Sequence, residues 1–172
     1  MLRLSQLLRR APLVHVAAMQ LPWIPERRIT GSDYVARHLS AWSARGSSFP
    51  SAAETAQYRE AFAQWPSPHC ALEYHRWLVR SRLRADGRAF TAMMRNRIGV
   101  PVLQLRGDAD VVVSQRAVSG SARHVEAPHI AVEIASAGHF PHEEQPGAVT
   151  RTLLDWLDGL SDGAVAGRDR LV

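Results

Sequence analysis

At 172 residues, 46% of them hydrophobic, the chain is long enough for one sizeable core and has the composition of a globular protein. Its formal charge of +5 rests on 21 arginines and no lysine, and these arginines are scattered rather than grouped with aromatic residues. This argues against a nucleic-acid partner. No run approaches the ~18 apolar residues that span a bilayer, and the lone Cys70 permits no internal disulfide. We therefore expect a cytoplasmic protein without a membrane partner.

The first ninety-odd residues show helical patterns and no convincing strand. One helix start is marked by Ser51 and Glu54, which have capping-box spacing. Another helix carries Leu72, Val79 and Leu83 on one face. The predicted helices cover residues 2–10, 13–21, 32–42, 51–65, 69–84 and 90–95. A helical subdomain is therefore expected ahead of the rest of the chain.

Two apolar runs then predict buried parallel strands, and each run ends in a residue type suited to catalysis. Val100–Gly107 leads into Asp108 and Asp110, and Ile130–Ala137 leads into His139. Ligands of open α/β sheets gather beyond the carboxyl ends of the strands, so these side chains are expected at one edge. A carboxylate can orient an imidazole, which can then take a proton from a nucleophile or from water.

The end of the chain predicts one more helix. The polar connection 111–129 allows a short helix near 115–118, and the last helix should begin near Glu143. It is expected to turn five apolar residues inward: Val149, Leu153, Trp156, Leu157 and Leu160. The fold class is thus α/β, with helices followed by two strand–helix units.

These motifs resemble the C-terminal end of an α/β-hydrolase, in the style of the epoxide hydrolase and haloalkane dehalogenase branch. The resemblance rests on Gly107-Asp-Ala-Asp110, on Ala137-Gly-His-Phe-Pro-His-Glu-Glu-Gln-Pro146 and on the helix that follows; Gln20-Leu-Pro-Trp-Ile-Pro-Glu26 resembles the first helix of that branch's cap. It implies that Asp110 is the catalytic acid, with Asp108 as the alternative, and that His139 is the base. It also implies a partial α/β-hydrolase fold, with a cap at 1–95, the C-terminal core portion at 96–160 and a frayed tail at 161–172.

In that branch two cap tyrosines donate hydrogen bonds to an epoxide oxygen. The matching positions here are His15 and His75, and Tyr74 is next to the second. A neutral imidazole can donate one hydrogen bond, but the change from tyrosine leaves ester, lactone or halide substrates open. Both histidines could equally be packing residues of the cap.

The family's nucleophile lies on a strand-to-helix turn of the form Gly-x-Ser-x-Gly or Gly-x-Asp-x-Gly, and no such turn is predicted in this chain. We expect a piece of a longer hydrolase, a truncated gene product or a misassigned start. Such a chain would need the missing N-terminal core segment, and would be inactive alone toward the small apolar substrate of the complete enzyme. A non-enzymatic remnant or a small interaction module is the alternative.

No cofactor or metal is expected. The run His139-x-x-His142-Glu143 could suggest a metal site, but no further ligand follows it at a sensible spacing. The two histidines also lack the helical i, i+4 arrangement.

Overall fold

The computed structural model describes residues 16–31 and 33–168, and the chain divides into two compact units. The first unit comprises Met1–Ala41 and Phe49–Arg97. The second comprises Trp42–Ser48 and Ile98–Val172. A short segment from the helical part of the sequence therefore belongs with the strands.

The first unit is helical in its described residues. Its elements are α1 (Ile24–Thr30), α2 (Tyr34–Trp42, whose last residue belongs to the second unit), α3 (Ala52–Ala63), α4 (Ser67–Arg80), a 3₁₀ turn (Ser81–Leu83) and α5 (Ala85–Met93). The predicted capping box is confirmed, because Ser51 Oγ accepts from the Glu54 N–H and Glu54 Oε2 accepts from the Ser51 N–H. The helix predicted at 2–10 lies outside the described residues.

A small apolar cluster forms the core of the first unit. Met19, Ile29 and Leu72 are buried together, with Tyr34 and Phe62 packed against them. The apolar faces predicted for α3 and α4 are wrong in part, because Trp65, Val79 and Leu83 are exposed. Trp65 and Leu83 lie beyond the last residue of their helices, so the helical periodicity no longer governs which way their side chains point, whereas Val79 lies in the last turn of α4.

The second unit is built on a parallel pair of strands. Its elements are β1 (Val102–Gly107), α6 (Gln115–Ser121), a 3₁₀ turn (Ala122–His124), β2 (His129–Ile134), α7 (Pro141–Glu144) and α8 (Pro146–Arg168). The register pairs Val102 with His129 and continues to Gly107 opposite Ile134. The carboxyl ends of both strands therefore lie side by side.

The strands and the last helix are less buried than predicted. Ile130 of β2 is exposed, and so are Leu153 and Leu157 of α8. The prediction of fully buried strands and of inward-facing leucines is wrong at these positions, because the described residues form a sheet of only two strands, which is too narrow to cover a long helix.

The end of the chain continues in helical form. α8 begins after a break at Gln145, and it extends to Arg168. The last part of the predicted tail, residues 169–172, lies outside the described residues. Among the described residues, no helix combines the length and the apolar character needed to cross a lipid bilayer.

Candidate catalytic site

The two strand ends bring Asp110 and His139 together. Asp110 follows β1 by three residues and His139 follows β2 by five. Asp110 Oδ2 lies 3.2 Å from His139 Nδ1. This is the contact that an acid–histidine pair requires, and parallel pairing in register produces it because both loops leave the same edge of the sheet.

The Asp110 carboxylate is held in place by its own loop. Its Oδ1 accepts hydrogen bonds from the Val112 and Val113 N–H groups, at 2.7 and 3.0 Å, and the side chain is only 5% exposed. These bonds leave Oδ2 for the imidazole. Because an ionised carboxylate only accepts, the proton of a neutral His139 is placed on Nδ1, and Nε2 keeps its lone pair.

The His139 ring is fixed yet accessible. Its main-chain N–H donates to the Trp42 carbonyl at 2.8 Å, and the ring meets the Trp42 indole edge to face at a centroid distance of 5.1 Å. Phe140 packs at 5.2 Å. The side chain remains 27% exposed, so a reacting molecule can reach it.

Glu144 organises the loop that carries His139, and the sequence did not point to this role. Its carboxylate, in a residue only 7% exposed, accepts from the N–H groups of Gly138 at 2.9 Å, Phe140 at 3.1 Å and Ala44 at 2.7 Å. The sequence showed an acidic pair at a helix start, but not which member turns inward.

Gly138 is a glycine for a steric reason. A Cβ at this position would lie 2.5 Å from both the Ala44 nitrogen and the Trp42 carbonyl oxygen. Real Cβ atoms essentially never come that close to main-chain atoms. The backbone of residues 42–44 therefore packs directly against the backbone beside His139.

Asp108, the alternative acid, has another contact. Its Oδ1 accepts from the Ala137 N–H at 3.3 Å, so it links the two strand ends. The structure thus brings Asp110 rather than Asp108 to the imidazole.

Arg106 braces the Asp110 loop from the strand. Its Nε donates to the Val113 carbonyl at 2.7 Å and its Nη2 to the Asp110 carbonyl at 3.2 Å. Its Nη1 forms an ion pair with Glu133 of β2 at 2.8 Å. One guanidinium therefore joins the loop to both strands.

A hollow of about 400 Å³ lies beside the pair, and its wall includes Leu105, Val113, Val118 and Val149 together with Asp110 and His139. Its size suits a small molecule. Among the residues that the structure describes, no three His, Cys, Asp or Glu side chains are grouped to hold a metal ion.

The predicted cap residues belong to the first unit, and His15 lies outside the described residues. Tyr74 is exposed, and its ring packs edge to face on His75. His75 Nδ1 lies 3.0 Å from the Ala71 carbonyl, which only accepts. The ring proton is therefore on Nδ1, and the Nε2 of a neutral His75 is an acceptor, which opposes donation to an epoxide.

The sequence pattern Gly-x-Ser-x-Gly is in fact present once, as Gly159-Leu-Ser-Asp-Gly163. It lies within α8, which is helical from Pro146 onward. An elbow needs a strand directly before the nucleophile, so this stretch does not form one.

Comparison with solved structures identifies the architecture. The chain superposes on Cfl2 from Burkholderia cenocepacia with a TM-score of 0.69 at 27% identity, covering 86% of this chain and 48% of that one. It superposes on a haloalkane dehalogenase DbeA loop variant from Bradyrhizobium elkanii with a TM-score of 0.71 at 23% identity, covering 98% and 55%. It superposes on epoxide hydrolase A from Mycobacterium thermoresistibile with a TM-score of 0.63 at 20% identity, covering 92% of this chain and 58% of that one.

The chain carries part of an α/β-hydrolase fold. This confirms the predicted fold class and the predicted resemblance. No family model matches the sequence. Epoxide hydrolase A from Mycobacterium tuberculosis is 40% identical over 63 residues, which are 37% of this chain and 20% of that protein. The chain spans about half the length of the solved structures and a smaller share of that relative.

Proposed function

We propose that this chain supplies the acid and the base of an α/β-hydrolase catalytic site. His139 is the general base, and Asp110 orients its ring and stabilises the imidazolium that forms. The observation that supports the proposal is the 3.2 Å contact between Asp110 Oδ2 and His139 Nδ1, on a carboxylate whose other oxygen is already held by two N–H groups.

In this proposal the nucleophile comes from outside these 172 residues, from an N-terminal core segment. His139 Nε2 then takes a proton from that nucleophile or from a water. Without the segment we expect the described residues to form no covalent intermediate and to supply no oxyanion hole, and losing one oxyanion donor typically costs ~100- to 1000-fold in rate. The chain alone should therefore show no meaningful turnover.

The proposed substrate is a small apolar molecule with one electrophilic carbon, and it would occupy the hollow beside His139. Some of the proteins with this fold are epoxide hydrolases and others are haloalkane dehalogenases. The histidines at the positions of the two cap tyrosines leave halide, ester and lactone substrates open beside an epoxide. His15, Tyr74 and His75 are proposed as substrate-binding residues of the complete enzyme.

A second candidate is a non-enzymatic interaction module. The observation that favours it is the row of exposed leucines on α8, Leu153, Leu154 and Leu157. A face of this kind is typical of a surface that binds another protein segment.

The base role can be tested on the chain itself by histidine ¹⁵N NMR at alkaline pH. The expected result is a His139 ring protonated at Nδ1, which changes tautomer in Asp110→Asn, whereas the exposed His142 does not change. A neutral His139 protonated at Nε2 would refute the proposed base.

The inactivity can be tested with an activated ester and an epoxide. Turnover by the monomeric chain that disappears in His139→Ala but persists in His142→Ala would show that no outside nucleophile is needed.

A further inference from the structure

The hollow beside His139 runs along the free edge of β1. Three consecutive residues of β1 line it, Gln104, Leu105 and Arg106, and β2 contributes no described residue to its wall. Because successive side chains of a strand point to opposite faces of the sheet, a hollow that touches all three must follow the edge of the strand. The described residues form a sheet of two strands, so this is the edge that β2 does not cover.

The hydrogen bonds between the strands show which main-chain groups lie at this edge. The N–H of Val102, at the start of β1, donates to the residue before β2 at 2.9 Å, and the N–H of Asp108 donates to the Ile134 carbonyl at 3.1 Å. Bonding alternates along a strand in a parallel pair, so the even-numbered residues of β1 face β2. The N–H and C=O groups of Leu103 and Leu105 therefore point to the free edge, where no described residue binds them.

Nothing on β1 itself prevents pairing with a further strand. Its pairing with β2 is continuous from Val102 to Gly107, so it has no bulge, and the strand contains no proline. Its charged side chain, Arg106, is bound by Glu133 across the sheet. Bulges, prolines and unpaired charges are the features by which edge strands usually avoid pairing with another chain. This edge is therefore open.

The main chain of this edge is complementary to itself. In an antiparallel contact about a two-fold axis at Gln104, Leu103 of one copy lies opposite Leu105 of the other, and each such pair exchanges two hydrogen bonds. Pro101, which has no N–H, then lies opposite Gly107, whose carbonyl already accepts an N–H within its own turn. In this register the residue without a donor thus faces the residue whose acceptor is already occupied.

The side chains fit the same register. On one face Leu103 meets Leu105 of the second copy, which is an apolar cross-strand pair. On the other face Gln104 meets Gln104, and Arg106 meets Val102, so no like charges lie opposite each other. The result is a sheet of four strands, which is a usual size, whereas a sheet of two strands is marginal.

An exposed apolar row on α8 leads away from the hollow. Val149 lines the hollow, and Leu153 and Leu157 follow it at i+4 and i+8 on the same side of the helix. These two leucines are 41% and 43% exposed. Since α8 packs against β1, a second copy seated on β1 is expected to cover part of this row.

We propose that this chain forms a two-fold symmetric dimer in which two copies of β1 pair antiparallel along the hollow. The residues that form the contact all belong to the second unit. The proposal extends the second candidate function by naming a second copy of the chain as the partner, and it does not rest on the hydrolase chemistry. The paired strand fills the hollow beside His139, which agrees with the expected inactivity of the chain alone.

Sedimentation equilibrium of the whole chain at neutral pH tests the dimer and its axis. The unchanged chain should have twice the mass of one copy. Gln104→Glu sets two carboxylates about 5 Å apart at the axis and should raise the dimer dissociation constant at least about tenfold. Gln104→Lys should do the same, and an equimolar mixture of the two variants should form the dimer again, because opposite charges then meet.

Ala131→Glu is the matched control. Ala131 is exposed and is the register partner of Gln104 on β2, so the new charge lies on the same face but at the outer strand. The two copies of this charge are about three strand spacings apart, roughly 14 Å, and are screened at ordinary salt, so the dimer should persist. A chain that is monomeric at high micromolar concentration would refute the proposal. So would a dimer that survives Gln104→Glu as well as it survives Ala131→Glu, because its contact would then lie elsewhere.

Amide hydrogen exchange at two protein concentrations checks the paired edge directly. The Leu103 and Leu105 amides should exchange more slowly at the higher concentration, at which the dimer is populated. The Gln104 and Arg106 amides face β2 in either state and are the internal control. Equal exchange of the Leu103 and Leu105 amides at both concentrations, in a chain whose mass changes from monomer to dimer between them, would overturn the proposed pairing.

Discussion

Replacing Glu144 by alanine should destabilise the loop that carries His139. A buried donor left without an acceptor costs about 1–3 kcal/mol. Gly138 is buried, so its N–H would carry this full cost. Phe140 and Ala44 are half-buried, so each of their N–H groups would carry about half of it. The middle of the range then gives a loss of about 4 kcal/mol in the free energy of unfolding. Glu144→Gln keeps one acceptor oxygen and should lose about 1–2 kcal/mol.

Urea unfolding and amide hydrogen exchange of residues 137–140 would measure these losses. Glu143→Ala is the matched control, because the adjacent carboxylate is partly exposed and should change stability by no more than about 0.5 kcal/mol. Faster exchange in Glu144→Ala, with loss of the Nδ1-protonated state of His139, would link the carboxylate to the geometry of the pair. A Glu144→Ala variant as stable as Glu143→Ala would refute the reasoning.

Three further changes test other contacts. Gly138→Ala should cost more than about 2 kcal/mol and disturb the His139 tautomer in NMR, because its Cβ would collide with the Trp42–Ser48 backbone. Arg106→Ala removes two contacts to the Asp110 loop and should lower the free energy of unfolding, measured with urea, by about 1–3 kcal/mol. Glu133→Ala, at the exposed end of the ion pair, should lower it by less than about 1 kcal/mol. The hydrogen bond from Arg76 lowers the pKa of Glu26 below its ordinary value of 4.5. The ionised Glu26 therefore stabilises the fold fully above pH 4.5, and this contribution is lost as the pH falls through the lowered pKa of the folded state. In urea unfolding measured across acidic pH, Glu26→Gln should lose less free energy of unfolding than the unchanged chain as the pH falls.

Local sequence signals predicted most of the helices and both strand ends, but α1 (Ile24–Thr30) was not predicted and α5 begins at Ala85, five residues before its predicted start. Ser51 and Glu54 fix a helix start through short-range hydrogen bonds, which any chain with this spacing can form. The runs before Asp110 and His139 predicted both strands, and their boundaries differ from the observed ones by only a few residues. The strand runs therefore also indicated that an acid and a histidine follow neighbouring strands.

Burial was harder to predict, because it depends on what else surrounds an element. Leu153 and Leu157 fit an inward helical face, yet they are exposed on α8. Hydrophobic periodicity shows which face of a helix is apolar, but it does not show whether the sheet beside the helix is wide enough to cover that face. The Gly-x-Ser-x-Gly pattern at 159–163 is a second example, because only the backbone conformation distinguishes a helix from a nucleophile elbow, and here it is helical.

By itself the sequence determined an α/β arrangement and the residue types available for acid–base chemistry, because periodicity and turn residues act over a few positions. Only the tertiary structure decided that Asp110 rather than Asp108 meets His139, that Glu144 binds the N–H groups around that histidine, and that residues 42–44 pack against Gly138. These contacts join positions up to a hundred residues apart. They depend on strand register and on close backbone approach, which no local pattern encodes.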